Sequence, residues 1–198
     1  MSSKLKIVIR VAIVSLICAA LVVAYFIYLN KKNSADNEEN KELTEAEIIE
    51  TTDFDKNYPE SPRAVVKWYN RIATVIYNND LGDVSLKSIA EKERDLLDDD
   101  LLKLNPEKDF IKNLESEMKE NEERKRSMVS SEVCDSADVQ YKTVNGYDCA
   151  YVYAYYFGKE GNNFTRTYQK FCLRKDKEGR WKILTFEKVP KEETPFAE

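Results

Sequence analysis

The chain has 198 residues, 42% of them hydrophobic and 11% aromatic, which is enough for one domain with a packed core, and it carries a formal net charge of −5. It contains no histidine, which excludes Ser-His and Cys-His catalytic arrangements and HExxH metal sites, and its five scattered glycines form neither GxGxxG nor GxxxxGK[ST]. Lys4, Lys6, Arg10, Lys31 and Lys32 are basic in a stretch without acidic residues, so the remainder is more acidic than the whole and would repel a nucleic-acid backbone.

Residues 1–10 read as a basic N-terminus. Residues 11–29, "VAIVSLICAALVVAYFIYL", carry no charge and are long enough for a transmembrane helix, with Tyr25 and Tyr28 at the far interface. The run is too long for a signal peptide, and its small pair Ala19-Ala20 lies mid-span rather than at a cleavage site. The basic residues ahead of it favour a cytoplasmic N-terminus, so a single-pass protein of the cell membrane with its C-terminal domain outside is expected. Residues 30–43 are polar and read as a flexible linker.

The domain is expected over residues 44–190. Thr44 with Glu47 three residues on is a capping-box pattern and predicts a short helix. In "SPRAVVKWYNRIATVIYN", Ser61 is placed to cap and Pro62 fits the first turn; Val65, Trp68, Tyr69, Ile72, Val75 and Ile76 recur on one face. A second helix is predicted over about 85–104, and a third after Asn105-Pro106 with Phe110, Ile111, Leu114 and Met118 inward and its charged remainder solvated.

From Met128 the period falls to two. Asn145-Gly146 predicts a hairpin joining a strand over about 129–142 to one over 147–157. Strands over 164–175 and 180–189 follow, Pro190 closes the sheet, and 191–198 form a tail. Three helices followed by a four-stranded antiparallel meander make an α+β fold. In the predicted register Ala150, Val152, Ala154 and Tyr156 face the helices. Tyr151, Tyr153, Tyr155 and Phe157 face the other side, joined by Phe164 and Tyr168. That aromatic face is either further core, a patch for self-association or a protein partner, or the wall of a small-molecule site. The same register sets Cys149 opposite Cys172, which allows a disulfide and leaves Cys134 free; three reduced thiols is the other reading. Core positions are Val65, Trp68, Tyr69, Ile72, Ile76, Val152 and Trp181.

The helices-then-sheet order ending in "GRWKILTFEKV" resembles the cone-shaped NTF2-like (cystatin-like) fold. After an apolar span, this architecture is similar to inner-membrane scaffold proteins of type IV secretion and conjugation machines. "TTDFDKNYPESPRAVVKWYNRI" (51–72) resembles an uncharacterised family of single-pass proteins from anaerobic Gram-positive bacteria, a likeness covering roughly residues 48–189. None of these resemblances implies a catalytic, cofactor or metal residue, and fold alone assigns no function. The leading expectation is a membrane-anchored, non-catalytic extracytoplasmic domain for protein interaction or homo-oligomeric assembly, with no cofactor. One alternative is a small-ligand-binding or sensor domain. Another is an isomerase- or dehydratase-type enzyme, which would need a buried acid beside a tyrosine; Asp135, Asp138 and Asp148 are the acids near tyrosines on the predicted strands. A polar-lined cavity would favour the alternatives, and a filled core the first reading.

Overall fold

The computed structural model describes Val23, Tyr25 and residues 42–197. The chain divides into two compact units, Met1–Glu42 and Leu43–Glu198. The expected basic N-terminus, the span 11–29 apart from Val23 and Tyr25, and most of the linker lie outside the described residues. Among the described residues no helix is long and apolar enough to cross a membrane, which corrects the architecture expected from the sequence.

The second unit is α+β, with five helices and a five-stranded antiparallel sheet rather than three helices on four strands. The helices are α1 (Glu45–Thr51), α2 (Pro62–Tyr77), α3 (Leu86–Arg94), α4 (Asp99–Leu104) and α5 (Glu107–Glu123). The strands are β1 (Arg126–Val133), β2 (Gln140–Val144), β3 (Tyr147–Glu160), β4 (Asn163–Lys175) and β5 (Trp181–Val189). Strands β3, β4 and β5 lie side by side in chain order, and β1 and β2 share the remaining edge of β3.

Local chemistry sets the helix starts. Thr44 and Glu47 form a reciprocal capping box: the Thr44 N–H donates to Glu47 Oε2 at 2.7 Å and the Glu47 N–H to Thr44 Oγ1 at 3.3 Å. Ser61 Oγ accepts from the Ala64 N–H at 3.2 Å, and Pro62 sits where its missing N–H costs nothing.

Two expected elements are broken, the first because the edge of β5 offers the backbone partners. The helix predicted over 85–104 stops at Arg94. Residues 96–98 instead run along the open edge of β5: the Ile183 N–H donates to Leu96 O and the Asp98 N–H to Ile183 O, both at 2.9 Å. This buries Leu96 and Leu97 and satisfies edge groups of β5. Asp98 then accepts from the Asp100 N–H at 2.9 Å and starts α4. The strand predicted over 129–142 is interrupted by a 3₁₀ turn at Ser136–Asp138, which divides it into β1 and β2. At the break the Cys134 N–H donates to Tyr153 O at 2.9 Å, and Arg63 Nε reaches from α2 to Cys134 O at 2.6 Å.

The hairpin at Asn145-Gly146 pairs Val144 with Tyr147, and both turn residues have positive φ, 51° and 81°, as its tight turn requires. The β3–β4 turn is tighter than expected. The strands run on until Glu160 faces Asn163, which slides the register by two residues. Cys149 therefore lies opposite Arg174 and Cys172 opposite Tyr151, and Cys134, Cys149 and Cys172 are free thiols. The segment after Pro190 is not a loose tail: Phe196 packs against Tyr155 (ring centroids 5.0 Å apart) and Tyr168 (6.2 Å).

Helix α2 is joined to β1 at an irregularity between Met128 and Ser130. Asn78, just past the helix, donates from Nδ2 to Met128 O at 3.0 Å and accepts from the Met128 N–H at 2.7 Å. This side chain takes the place of a neighbouring strand for both groups. Asn78→Ala should lower stability by about 1–3 kcal/mol, as expected when half-buried backbone groups lose their partners. Urea unfolding checks this, and an unchanged midpoint would show that the clasp contributes nothing.

Candidate functional site

The helix-facing side of the sheet carries Ala150, Val152, Ala154, Phe171 and Leu173, all fully buried. Val65, Ile72, Ile76 and Trp181 are buried with them, whereas Trp68 and Tyr69 are half-buried. Trp68 meets Phe54 edge-on at 5.2 Å, and the Arg71 guanidinium lies 4.1 Å from its ring centre. Tyr69 packs against Phe171 at 5.5 Å and Phe186 at 5.7 Å.

Packing stops short of filling this side. A cavity of about 460 Å³ lies between α2, α3 and α5 and the sheet, within the roughly 300–1,000 Å³ of typical small-molecule sites. It exists because of how α5 is written. Phe110, Leu114, Glu117, Met118 and Asn121 recur at helical spacing on one face, but only Asn121 is fully buried. The others line the space without filling it. Exposed Asn113, Glu117 and Thr165 rim the cavity, and buried Ile76, Glu93, Asn121 and Tyr156 lie deeper.

The deep polar groups are the unusual feature. Glu93 is 5% exposed and Asn121 2%, and Glu93 Oε2 and Asn121 Nδ2 have no hydrogen-bond partner. Buried polar atoms are nearly always paired, because leaving one bare costs on the order of 1–3 kcal/mol. Neighbouring Asn70 is half-satisfied: Oδ1 accepts from the Tyr156 hydroxyl at 2.6 Å and Nδ2 is bare. Burial, reinforced by the charge of Glu117, pushes the Glu93 carboxyl up to about 8, so it is mostly protonated at neutral pH. Burial and the neighbouring Glu120 also raise the Glu117 carboxyl. Burial carries the Tyr69 phenol well above its ordinary range, with Glu93 acting in the same direction.

Sequence reasoning missed Glu93 and Asn121, yet both were signalled. Glu93 follows Leu86, Ile89 and Ala90 at helical spacing, on the buried stripe of α3. Asn121 continues Leu114, Glu117 and Met118 in the same way on α5. The acids noted near tyrosines, Asp135, Asp138 and Asp148, are all exposed and do not line the cavity.

The outer face of the sheet is aromatic but largely covered. Tyr153 is buried, and Tyr151, Tyr155, Phe157 and Tyr168 are half-buried. Cations from adjacent strand positions lie over the rings: Lys170 is 5.0 Å from the Tyr151 centre, and Arg166 is 5.9 Å from Tyr155 and 5.7 Å from Phe157. The Tyr155 hydroxyl donates to Glu132 Oε2 at 2.6 Å, and Phe196 covers Tyr155 and Tyr168. Phe164, 58% exposed, stacks on Phe157 at 5.3 Å at the far end.

No curated protein matches the chain. Its sequence does match, over residues 1–186, the profile of a family described as a domain of unknown function, DUF6715. That match takes in every residue that lines the cavity, so the chain with its buried glutamate belongs to the DUF6715 family.

Proposed function

We propose that the domain binds a small ligand in the cavity between α2, α3, α5 and the sheet. The observation that carries this reading is the pair of buried, unpartnered polar atoms, Glu93 Oε2 and Asn121 Nδ2, in a space of ligand size. A packing defect would be lined by apolar side chains. Here the fold retains polar groups whose hydrogen bonds a bound molecule can complete. The protein-interaction reading has less support, because cations and Phe196 already occupy most of the aromatic face. A proton-transfer enzyme would also place a buried acid near a tyrosine. Glu93 beside Tyr69 meets that description, so an enzyme of this type would use the same cavity as its substrate site.

The cavity reading is tested with a neutral fluorescent ligand, N-phenyl-1-naphthylamine. The protein should bind it saturably at one site. Ala73→Phe, which projects a ring from α2 into the cavity, should abolish uptake while leaving the fold intact by circular dichroism. No saturable uptake, or uptake indifferent to a folded Ala73→Phe variant, would remove the proposal.

A further inference from the structure

We infer that the cavity selects an organic ammonium ion, with Glu93 and Glu117 as its counter-ions and the aromatic walls as its seat. This inference rests on the ligand-binding reading and narrows it to a chemical class. The lining offers two carboxyl groups, one deep and one at the mouth, and no lysine or arginine. Five rings line the same space: Tyr69 and Tyr77 from α2, Tyr156 from β3, Phe186 from β5 and Phe110 from α5, the last already faced by Arg94. Ring faces attract cations, most strongly where water is excluded, and a carboxylate completes such a seat. Met118 and Met128 add polarisable, adaptable surface.

The nearby cations are already engaged. Arg126 contacts Glu120 at 3.1 Å and Glu160 at 3.4 Å. Arg94 donates to Asn105 O at 2.7 Å and lies 5.4 Å from the Phe110 ring centre. An anionic ligand would set its charge against Glu117 and oppose any ionisation of Glu93, with no cation in the lining to meet it. A neutral ligand would leave Glu93 protonated and Glu117 without a counter-charge in the lining. An ammonium group supplies N–H donors to Glu93 Oε2 and favours the ionised form of the acid. Its carbon skeleton fills the space between α5 and the sheet, and Asn121 Nδ2 is left to meet an acceptor elsewhere on the ligand.

Glu117 on α5 and Tyr69 on α2 act electrostatically with Glu93, and Tyr156 on β3 lines the same cavity. All are anionic or neutral across the accessible range, so ionising Glu93 makes the cavity more attractive to a cation. The affinity of an ammonium ligand should therefore rise between pH 6 and 8, while that of a neutral ligand stays level.

The experiment is calorimetric titration of the full chain with phenethylammonium, 2-phenylethanol and phenylacetate, which share a skeleton and differ in charge. The ammonium ion should bind at least about tenfold more tightly than the alcohol, with phenylacetate weakest. Glu93→Gln should reduce the ammonium affinity to that of the alcohol. Should that variant fail to fold, Glu117→Gln at the exposed mouth should still lower the ammonium affinity several-fold and leave the alcohol unaffected. Equal or tighter binding of the alcohol or of phenylacetate would overturn the inference and leave the cavity reading standing. So would failure of all three to bind a protein that takes up N-phenyl-1-naphthylamine. If that neutral ligand is also refused, both readings fall together.

Discussion

Glu93→Gln should flatten the pH dependence of stability between about pH 5.5 and 7.5 and leave the variant more stable than the parent at pH 8. The folded carboxyl sits near 8 because burial and the Glu117 charge oppose its ionisation. In the unfolded chain it titrates near its ordinary value, roughly 4.3. A group raised on folding contributes its stability fully below the unfolded value and loses it as pH climbs toward the folded one. Between those limits the native state holds a proton that the unfolded state has released. Stability should then fall by about 1.4 kcal/mol per pH unit from this group, or roughly 2–3 kcal/mol across the window. The chain has no histidine, so no ordinary side chain titrates there to mask the slope. Glu117 is raised as well and acts in the same direction. Urea unfolding at a series of pH values reads the effect; parallel profiles for parent and variant would mean that Glu93 ionises normally.

Arg174→Met should cost about 3–5 kcal/mol, a large part of a total stability of roughly 5–15. Arg174 grips Asp98 with two bonds, Nε to Oδ2 at 3.0 Å and an Nη to Oδ1 at 2.5 Å, and reaches Asp100 at 2.8 Å. The Asp98 side chain is 5% exposed, so removing its partner strands a buried charge where 96–98 meet β5. The penalty comes from that orphaned carboxylate rather than from the net value of the pair. Adding Asp98→Asn, which keeps an oxygen to cap α4, should therefore recover much of the loss. Melting temperatures would show this as a drop of roughly 6–20 °C, mostly restored in the double variant. A single variant that melts with the parent would show that water reaches Asp98.

Local rules carried far along this chain. The Thr44–Glu47 box, the Ser61-Pro62 start and the Asn145-Gly146 hairpin are written in a few adjacent residues and were legible as such. The breaks were not. Leu96-Leu97-Asp98 continues a helical pattern, and only a partner strand some 85 positions away in the chain, around Ile183, draws its backbone out of the helix. At the interruption between β1 and β2 the backbone of Cys134 is likewise met by distant residues, Arg63 and Tyr153. The cavity was hidden for another reason: a void has no sequence of its own. Its floor was nevertheless encoded in polar residues on buried stripes, Glu93 on α3 and Asn121 on α5. A charged or amide side chain in phase with Leu86, Ile89 and Ala90 is better read as a candidate site than as a solvated face. The aromatic strands drew attention by composition, but composition alone did not reveal that Arg166 and Lys170 of β4 would lie over Tyr151, Tyr155 and Phe157.

The most direct test follows the Glu93 carboxyl itself, by carbon-detected magnetic resonance of the protein labelled at glutamate side chains, with Glu93→Gln giving the assignment. A ligand site built around a buried acid predicts titration near 8 in the free protein and a clear fall when phenethylammonium is present. Titration in the ordinary glutamate range, unmoved by the amine, would contradict the account at its centre.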